Sequence, residues 1–112
     1  MKRDYRIFVR DIVDSIGKIE EFTRGKSYDD FTEDDMLSSA VVRKLEIIGE
    51  ASKNIPESVK GKHKGVPWKE MARIRDKLIH WYFGIDYEIV WKVVKEELPQ
   101  IKPMIEGMLK KE

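Results

Sequence analysis

Apolar residues recur every three or four positions through most of this chain. Between Asp4 and Arg24 they fall at Tyr5, Phe8, Ile12, Ile16, Ile19 and Phe22, with charges on the opposite face, which predicts a long amphipathic helix. Gly25 supplies its stop. The polar run KSYDDFTEDD then offers two helix starts, Ser27 with Asp30 and Thr32 with Asp35, because a hydroxyl and a carboxylate three residues apart can exchange hydrogen bonds with the first turn. A second helix is predicted from near Glu33 to just before Pro56. Leu37, Val41, Leu45, Ile48 and Ala51 form its stripe, widened by Met36, Ala40 and Ile47. The following PESVKGKHKGVP has no sustained period and reads as an irregular connection with at most one short helical turn.

A third helix is predicted to open at Pro67, whose missing N–H costs nothing there, and to carry Trp68, Met71, Ala72, Ile74, Leu78 and Ile79 inward. Gly84 would close it in a left-handed conformation. Asp86 then caps a fourth helix, with Ile85 and Val90 spaced as a hydrophobic staple and Ile89, Trp91, Val93 and Val94 continuing the pattern. Leu98-Pro99 interrupts, and a last piece carries Ile101, Ile105, Met108 and Leu109, bent or delayed by Pro103. No stretch alternates with period two. The prediction is an all-α fold, an up-and-down bundle of four main helices plus a short C-terminal helix, in one domain spanning residues 1–112. Trp68, Trp81, Phe83, Tyr87 and Trp91 exceed what so small a bundle needs. They point to a homodimer, the alternative being that they fill the monomer's own core.

Composition narrows the chemistry. Charged residues make up 38% of the 112, yet 22 Lys and Arg against 21 Asp and Glu leave a net charge of +1, so no global field attracts nucleic acid or membrane. Phosphate recognition has to be local. Cysteine is absent and histidine occurs twice, which removes disulfides, thiolate chemistry and a protein-only zinc site. The phosphate-loop, HExxH, CxxC and nucleophile-elbow patterns are missing as well, so neither a metal nor a cofactor is expected. The start, MKRDYRIFVRD, breaks its apolar residues with charges, and a cytoplasmic protein with no membrane span is expected.

What remains is RIRDKLIHWYFG, Arg73 to Gly84, with three cationic side chains, one carboxylate, a histidine and three aromatics in twelve residues. A histidine can move a proton near neutral pH, and an arginine offers a permanent forked donor suited to phosphate or a phosphorane. Arg75, His80 and Tyr82 therefore suit RNA cleavage without metal, with the ribose 2′-hydroxyl as nucleophile. At about 100° per residue Arg75 and Tyr82 face nearly the same way, while His80 points roughly 140° from Arg75. One straight helix does not unite them. Either the helix loosens near Ile79, or the long arginine side chain bridges the gap, or a second subunit completes the site. On the same helix Arg73, Asp76 and His80 fall at i, i+3 and i+7, so Asp76 would orient His80 or pair with Arg73. The purely structural alternative is a basic helix end opposing its own dipole. Glu50 reads either as a site-facing carboxylate or as an ion-paired helix residue. His63, Lys60, Lys62 and Lys64 read as a solvated basic loop.

RDKLIHWYFGID, with Arg75, His80 and Tyr82 at the spacing Arg, four residues, His, one residue, Tyr, resembles the signature of HEPN-domain ribonuclease toxins of the HepT type. The runs KLEIIGEASKNIP and VPWKEMARIRD resemble the same family, so the likeness covers about Val42 to Trp91. The resemblance implies a HEPN bundle that dimerises with its Arg and His motifs facing a shared cleft. It implies a metal-independent endoribonuclease, acting on tRNA or mRNA, whose catalytic residues are Arg75 and His80. It further implies a partner, a minimal nucleotidyltransferase antitoxin that silences the toxin by adding AMP to Tyr82. A different reading of the same residues is a non-catalytic subunit that binds nucleotide or substrate for a separately encoded nucleotidyltransferase.

Overall fold

Asp4 opens helix α1, Tyr5–Thr23, by accepting a hydrogen bond from the Arg6 backbone N–H. The computed structural model describes residues 4–80 and 84–110, with the backbone alone at 79 and 80. In α1 the seam is Val9, Ile12, Ile16 and Ile19, all fully buried, and Tyr5, Phe8 and Phe22 pack at its edges. Gly25 ends the helix at φ +74°, as the sequence predicts. Ser27 and Asp30 close a reciprocal capping box at the start of α2, Tyr28–Glu33. The second predicted start is displaced by two residues. Asp34 caps α3, Asp35–Lys53, by accepting from the Leu37 N–H, and the Thr32 hydroxyl instead donates back to the Asp29 carbonyl.

Helix α3 buries Val41, Leu45, Ile48 and Ala51 and packs along α1 more extensively than any other pair of elements. Met36, predicted to widen that stripe, is 84% exposed because it lies in the first turn, before α3 reaches the core. The connection after Pro56 contains the short helix α4, Glu57–Lys62. Its lysine-rich end is pinned by the Trp68 indole, whose Nε1–H donates to the His63 carbonyl at 3.0 Å.

The third predicted helix is the main departure. It appears as α5, Trp68–Ala72, and α6, Ile74–Leu78, with Arg73 at the break. After Leu78 the backbone extends, and Ile79–His80 (β1) pairs antiparallel with Gly84–Ile85 (β2) in the register Ile79 with Ile85 and His80 with Gly84. Gly84 does take a left-handed conformation, φ +77°, but it shapes this hairpin and not a helix end. β-branched Ile79 and Ile85 favour the extended form, and the Asp86 N–H donates to the Leu78 carbonyl at 2.9 Å, giving the helix end a partner.

Asp86 caps α7, Tyr87–Lys92, as expected, accepting from the Ile89 N–H. The predicted interruption at Leu98-Pro99 is a wide helical turn. Val93–Glu97 is π-helical, with the Leu98 N–H donating to the Val93 carbonyl, and α8, Leu98–Lys110, continues directly. Pro99 has no N–H and its ring would meet the Lys95 carbonyl in a regular α ladder; widening the preceding turn relieves both conflicts. Val90, Val93, Leu98, Ile101, Ile105 and Met108 thereby stay on the core side. Apart from the two-residue ladder the described fold is all helical, and Trp68, Tyr87 and Trp91 turn out to belong to the monomer's own core. Trp68 is 7% exposed, and Tyr87 and Trp91 pack on the fully buried Phe31 with ring centroids 5.8 and 5.1 Å away. Trp81 and Phe83 lie outside the described residues.

Candidate active site

The site begins with a glycine. A Cβ on Gly49 would stand 2.9 Å from Ile74 Cγ2 and 3.3 Å from the Met71 carbonyl oxygen, so α5 and α6 can lie this close to α3 only because no side chain is there. Met71, Ile74 and Leu78 are buried against that contact, which leaves Arg75 and Lys77 on the two flanks of α6. Arg75 Nε lies 3.3 Å from Glu46 Oε2 on α3. Lys77 Nζ lies 3.1 Å from Glu97 Oε2 in the π-helical turn. The short α6 is thus clasped from both sides.

The Arg75 side chain remains 67% exposed. An exposed ion pair of this kind is worth about 0–1 kcal/mol, so an incoming phosphate can take the guanidinium from Glu46 at little cost. Because α6 stops at Leu78, Arg75 and His80 do not share a helix. The helix does loosen at Ile79, where the backbone becomes extended. Tyr82, expected to carry the modification, lies outside the described residues.

The other candidates fare differently. Arg73 is exposed at the break between α5 and α6, where its N–H donates to the Lys69 and Glu70 carbonyls. Asp76 is exposed in the first turn of α6. The alignment of Arg73, Asp76 and His80 presumed one continuous helix, and the break at Arg73 and the extended backbone at His80 remove it. Glu50 is exposed and its backbone carbonyl accepts from Asn54 Nδ2 at 2.9 Å. The carboxylate that meets Arg75 is Glu46, one helical turn earlier. Sequence reasoning passed over it because Glu46 and Glu50 share a face of α3, and only the crossing point of α3 and α6 decides between them.

Arg43 and Glu46, three residues apart on α3, form a ridge between two hollows. One, of about 170 Å³, lies between α3 and the β2–α7 junction, with Ser39, Val42, Ile85 and Tyr87 around the ridge residues. The other, of about 280 Å³, lies between α3 and α1, where Asp11 and Glu50 join Glu46 opposite Arg43. A third hollow, mostly apolar, sits on the far flank of α6 beside Lys77 and Glu97. Among the described residues no group of three His, Cys, Asp or Glu is placed to hold a metal ion, and no helix is long and apolar enough to cross a membrane.

Comparison with known proteins agrees with the motif. The family model described as "Ribonuclease HepT-like" matches residues 12–108. A Thermococcus cleftensis protein named "Probable ribonuclease HepT" is 52% identical over 110 residues, covering 98% of this chain and 100% of its own length. A Methanocaldococcus jannaschii protein named "Putative RNase MJ0127" is 48% identical over 109 residues, covering 97% of this chain and 90% of its own. No solved structure matches the chain. With the family model and both relatives spanning nearly its whole length, the chain belongs to the HepT-like ribonuclease family.

Proposed function

We propose that this chain is the endoribonuclease toxin of a two-component toxin–antitoxin pair and cuts RNA by internal transesterification, without a metal ion. The observation that carries the reading is Arg75, an exposed guanidinium paired with Glu46 on α6, the short helix that runs directly into the strand that contains His80. In the proposed reaction His80 moves protons, taking one from the 2′-hydroxyl or giving one to the leaving oxygen. The 2′-oxygen forms a bond to phosphorus, the bond from phosphorus to the 5′-oxygen breaks, and the products are a 2′,3′-cyclic phosphate and a 5′-hydroxyl. Arg75 offsets the charge that builds on the phosphorane.

In this reading a second copy faces its motif across a shared cleft, and the antitoxin is a minimal nucleotidyltransferase that attaches AMP to Tyr82. The added phosphate brings negative charge and bulk beside the cleft and opposes RNA by repulsion and obstruction. The deciding experiment compares wild type with His80→Ala on bulk RNA and tRNA, with and without EDTA. Cleavage that survives EDTA and disappears in a folded His80→Ala protein is the expected result. Cleavage unchanged by His80→Ala overturns the mechanism, and nucleotide binding without cleavage would instead mark the chain as a substrate-presenting subunit. Mass spectrometry after incubation with the cognate nucleotidyltransferase and ATP tests the modification, and label on any residue other than Tyr82 overturns that assignment.

A further inference from the structure

The ridge of Arg43 and Glu46 separates two hollows of different electrical character, and Arg75 reaches it at Glu46. On the α1 side Asp11, Glu46 and Glu50 face a single cation, Arg43, a lining that repels a polyanion. On the β2–α7 side Arg43 and Glu46 balance each other and the remaining polar groups are neutral, the hydroxyls of Ser38, Ser39 and Tyr87. Of the two hollows, the one beside β2 and α7 is therefore the more tolerant of the neighbouring nucleoside of a phosphodiester gripped by Arg75.

That smaller hollow is built as a base site is built. Val42 and Ile85 supply apolar surface, and Ile85 pairs with Ile79, the residue before His80, so the hollow adjoins the strand that contains the proposed proton carrier. The Tyr87 ring lines the hollow, is half buried and meets Phe31 in a T-shaped contact at 82°, which fixes its position. Arg43 is exposed on α3 and brings a forked donor pair. We propose that this hollow takes the unpaired base next to the cut phosphodiester and that Arg43 reads its acceptor edge, which selects guanine. Guanine presents two adjacent acceptors, O6 and N7, that a guanidinium matches with two parallel hydrogen bonds. Stacking on an aromatic wall with edge recognition is the general way in which single-stranded RNA is read. The assignment rests on the ribonuclease reading of the same site.

The test is the sequence of the cut ends. A random-sequence RNA is digested with wild type, Arg43→Ala, Arg43→Lys and Ser39→Val, and the termini are sequenced, with circular dichroism confirming that each variant is folded. Wild type is expected to enrich guanine at one position beside the cut, roughly tenfold, the discrimination a bidentate arginine supplies. Arg43→Ala cuts without that preference, Arg43→Lys keeps part of it, and Ser39→Val weakens it. Enrichment unchanged in folded Arg43→Ala, or wild-type cleavage with no base preference beside the cut, overturns the pocket and leaves the ribonuclease reading standing. Absence of cleavage by wild type overturns both.

Discussion

Arg75 Nε stands 3.3 Å from Glu46 Oε2, joining the first turn of α6 to the middle of α3. The pair is too exposed to hold the fold together, and in the proposed reaction it biases a long, many-rotamer side chain toward one orientation before RNA arrives. Glu46→Gln is expected to change stability by less than about 1 kcal/mol. Its effect on single-turnover RNA cleavage should be a loss of no more than roughly fivefold, the factor that about 1 kcal/mol of lost orientation supplies. Arg75→Ala, which removes the charge itself, should cost roughly 10²- to 10³-fold. Faster cleavage by Glu46→Gln would show that Glu46 restrains the arginine.

Gly49 makes a second prediction, because two general tendencies oppose each other there. Alanine in place of glycine within a helix ordinarily stabilises by about 0.5–1 kcal/mol, but here the new methyl would press on Ile74 Cγ2 at 2.9 Å and on the Met71 carbonyl. Ile74 is branched at Cβ and 5% exposed, so it has little freedom to move aside. Gly49→Ala should therefore be net destabilising, by about 1–3 kcal/mol, seen as a lower thermal midpoint. Adding Ile74→Leu, which removes the clashing branch at nearly constant volume, should recover part of the loss. A Gly49→Ala protein more stable than wild type would refute the close approach.

The helices were legible in the sequence wherever one periodic stripe faced one core. Ile12, Ile16 and Ile19 in α1, Val41, Leu45 and Ile48 in α3, and the caps at Ser27 and Asp86 all follow from local spacing. Two features did not follow. The stop at Leu78 is hidden because Ile79 continues the helical period; its extended form is favoured by pairing with Ile85 and by the bond from Asp86 to the Leu78 carbonyl, both made after the chain has turned. The π turn is hidden because a proline announces a conflict without saying how it is resolved. Within the candidate site Arg75 and His80 were proposed from the motif, whereas Glu46 and the Arg43 hollow depend on where α3 crosses α6 and meets β2.

The caps carry a pH dependence. Asp30 accepts from the Ser27 backbone N–H, which holds its carboxyl below the ordinary aspartate value, and Asp4 is pushed down to about 2, chiefly by the Arg6 side chain. A carboxyl whose pKa falls on folding stabilises the fold above its unfolded value and loses that contribution as pH drops through the folded one. Asp30→Asn should thus melt below wild type at neutral pH, and the gap should narrow as pH falls below about 4. Ser27→Ala, which loses the other half of the box, should cost about 1 kcal/mol. A gap between Asp30→Asn and wild type that stays constant down to pH 2 would contradict this account.

If two copies share one cleft, the proposed site can be rebuilt from two inactive chains. Arg75→Ala and His80→Ala are each expected to slow cleavage by roughly 10²-fold or more on their own. In a mixed dimer every chain still carries one lesion, so a site made within a single chain stays dead, whereas a site that takes Arg75 from one copy and His80 from the other leaves one intact pairing. Co-expressing the two variants with different tags and purifying the doubly tagged dimer should therefore restore a measurable fraction of wild-type cleavage. The stop at Leu78 makes the test necessary, since His80 is not on the helix that carries Arg75 and their helical spacing no longer says which copy supplies which residue. A doubly tagged dimer as inactive as either parent would assign Arg75 and His80 of each site to the same chain.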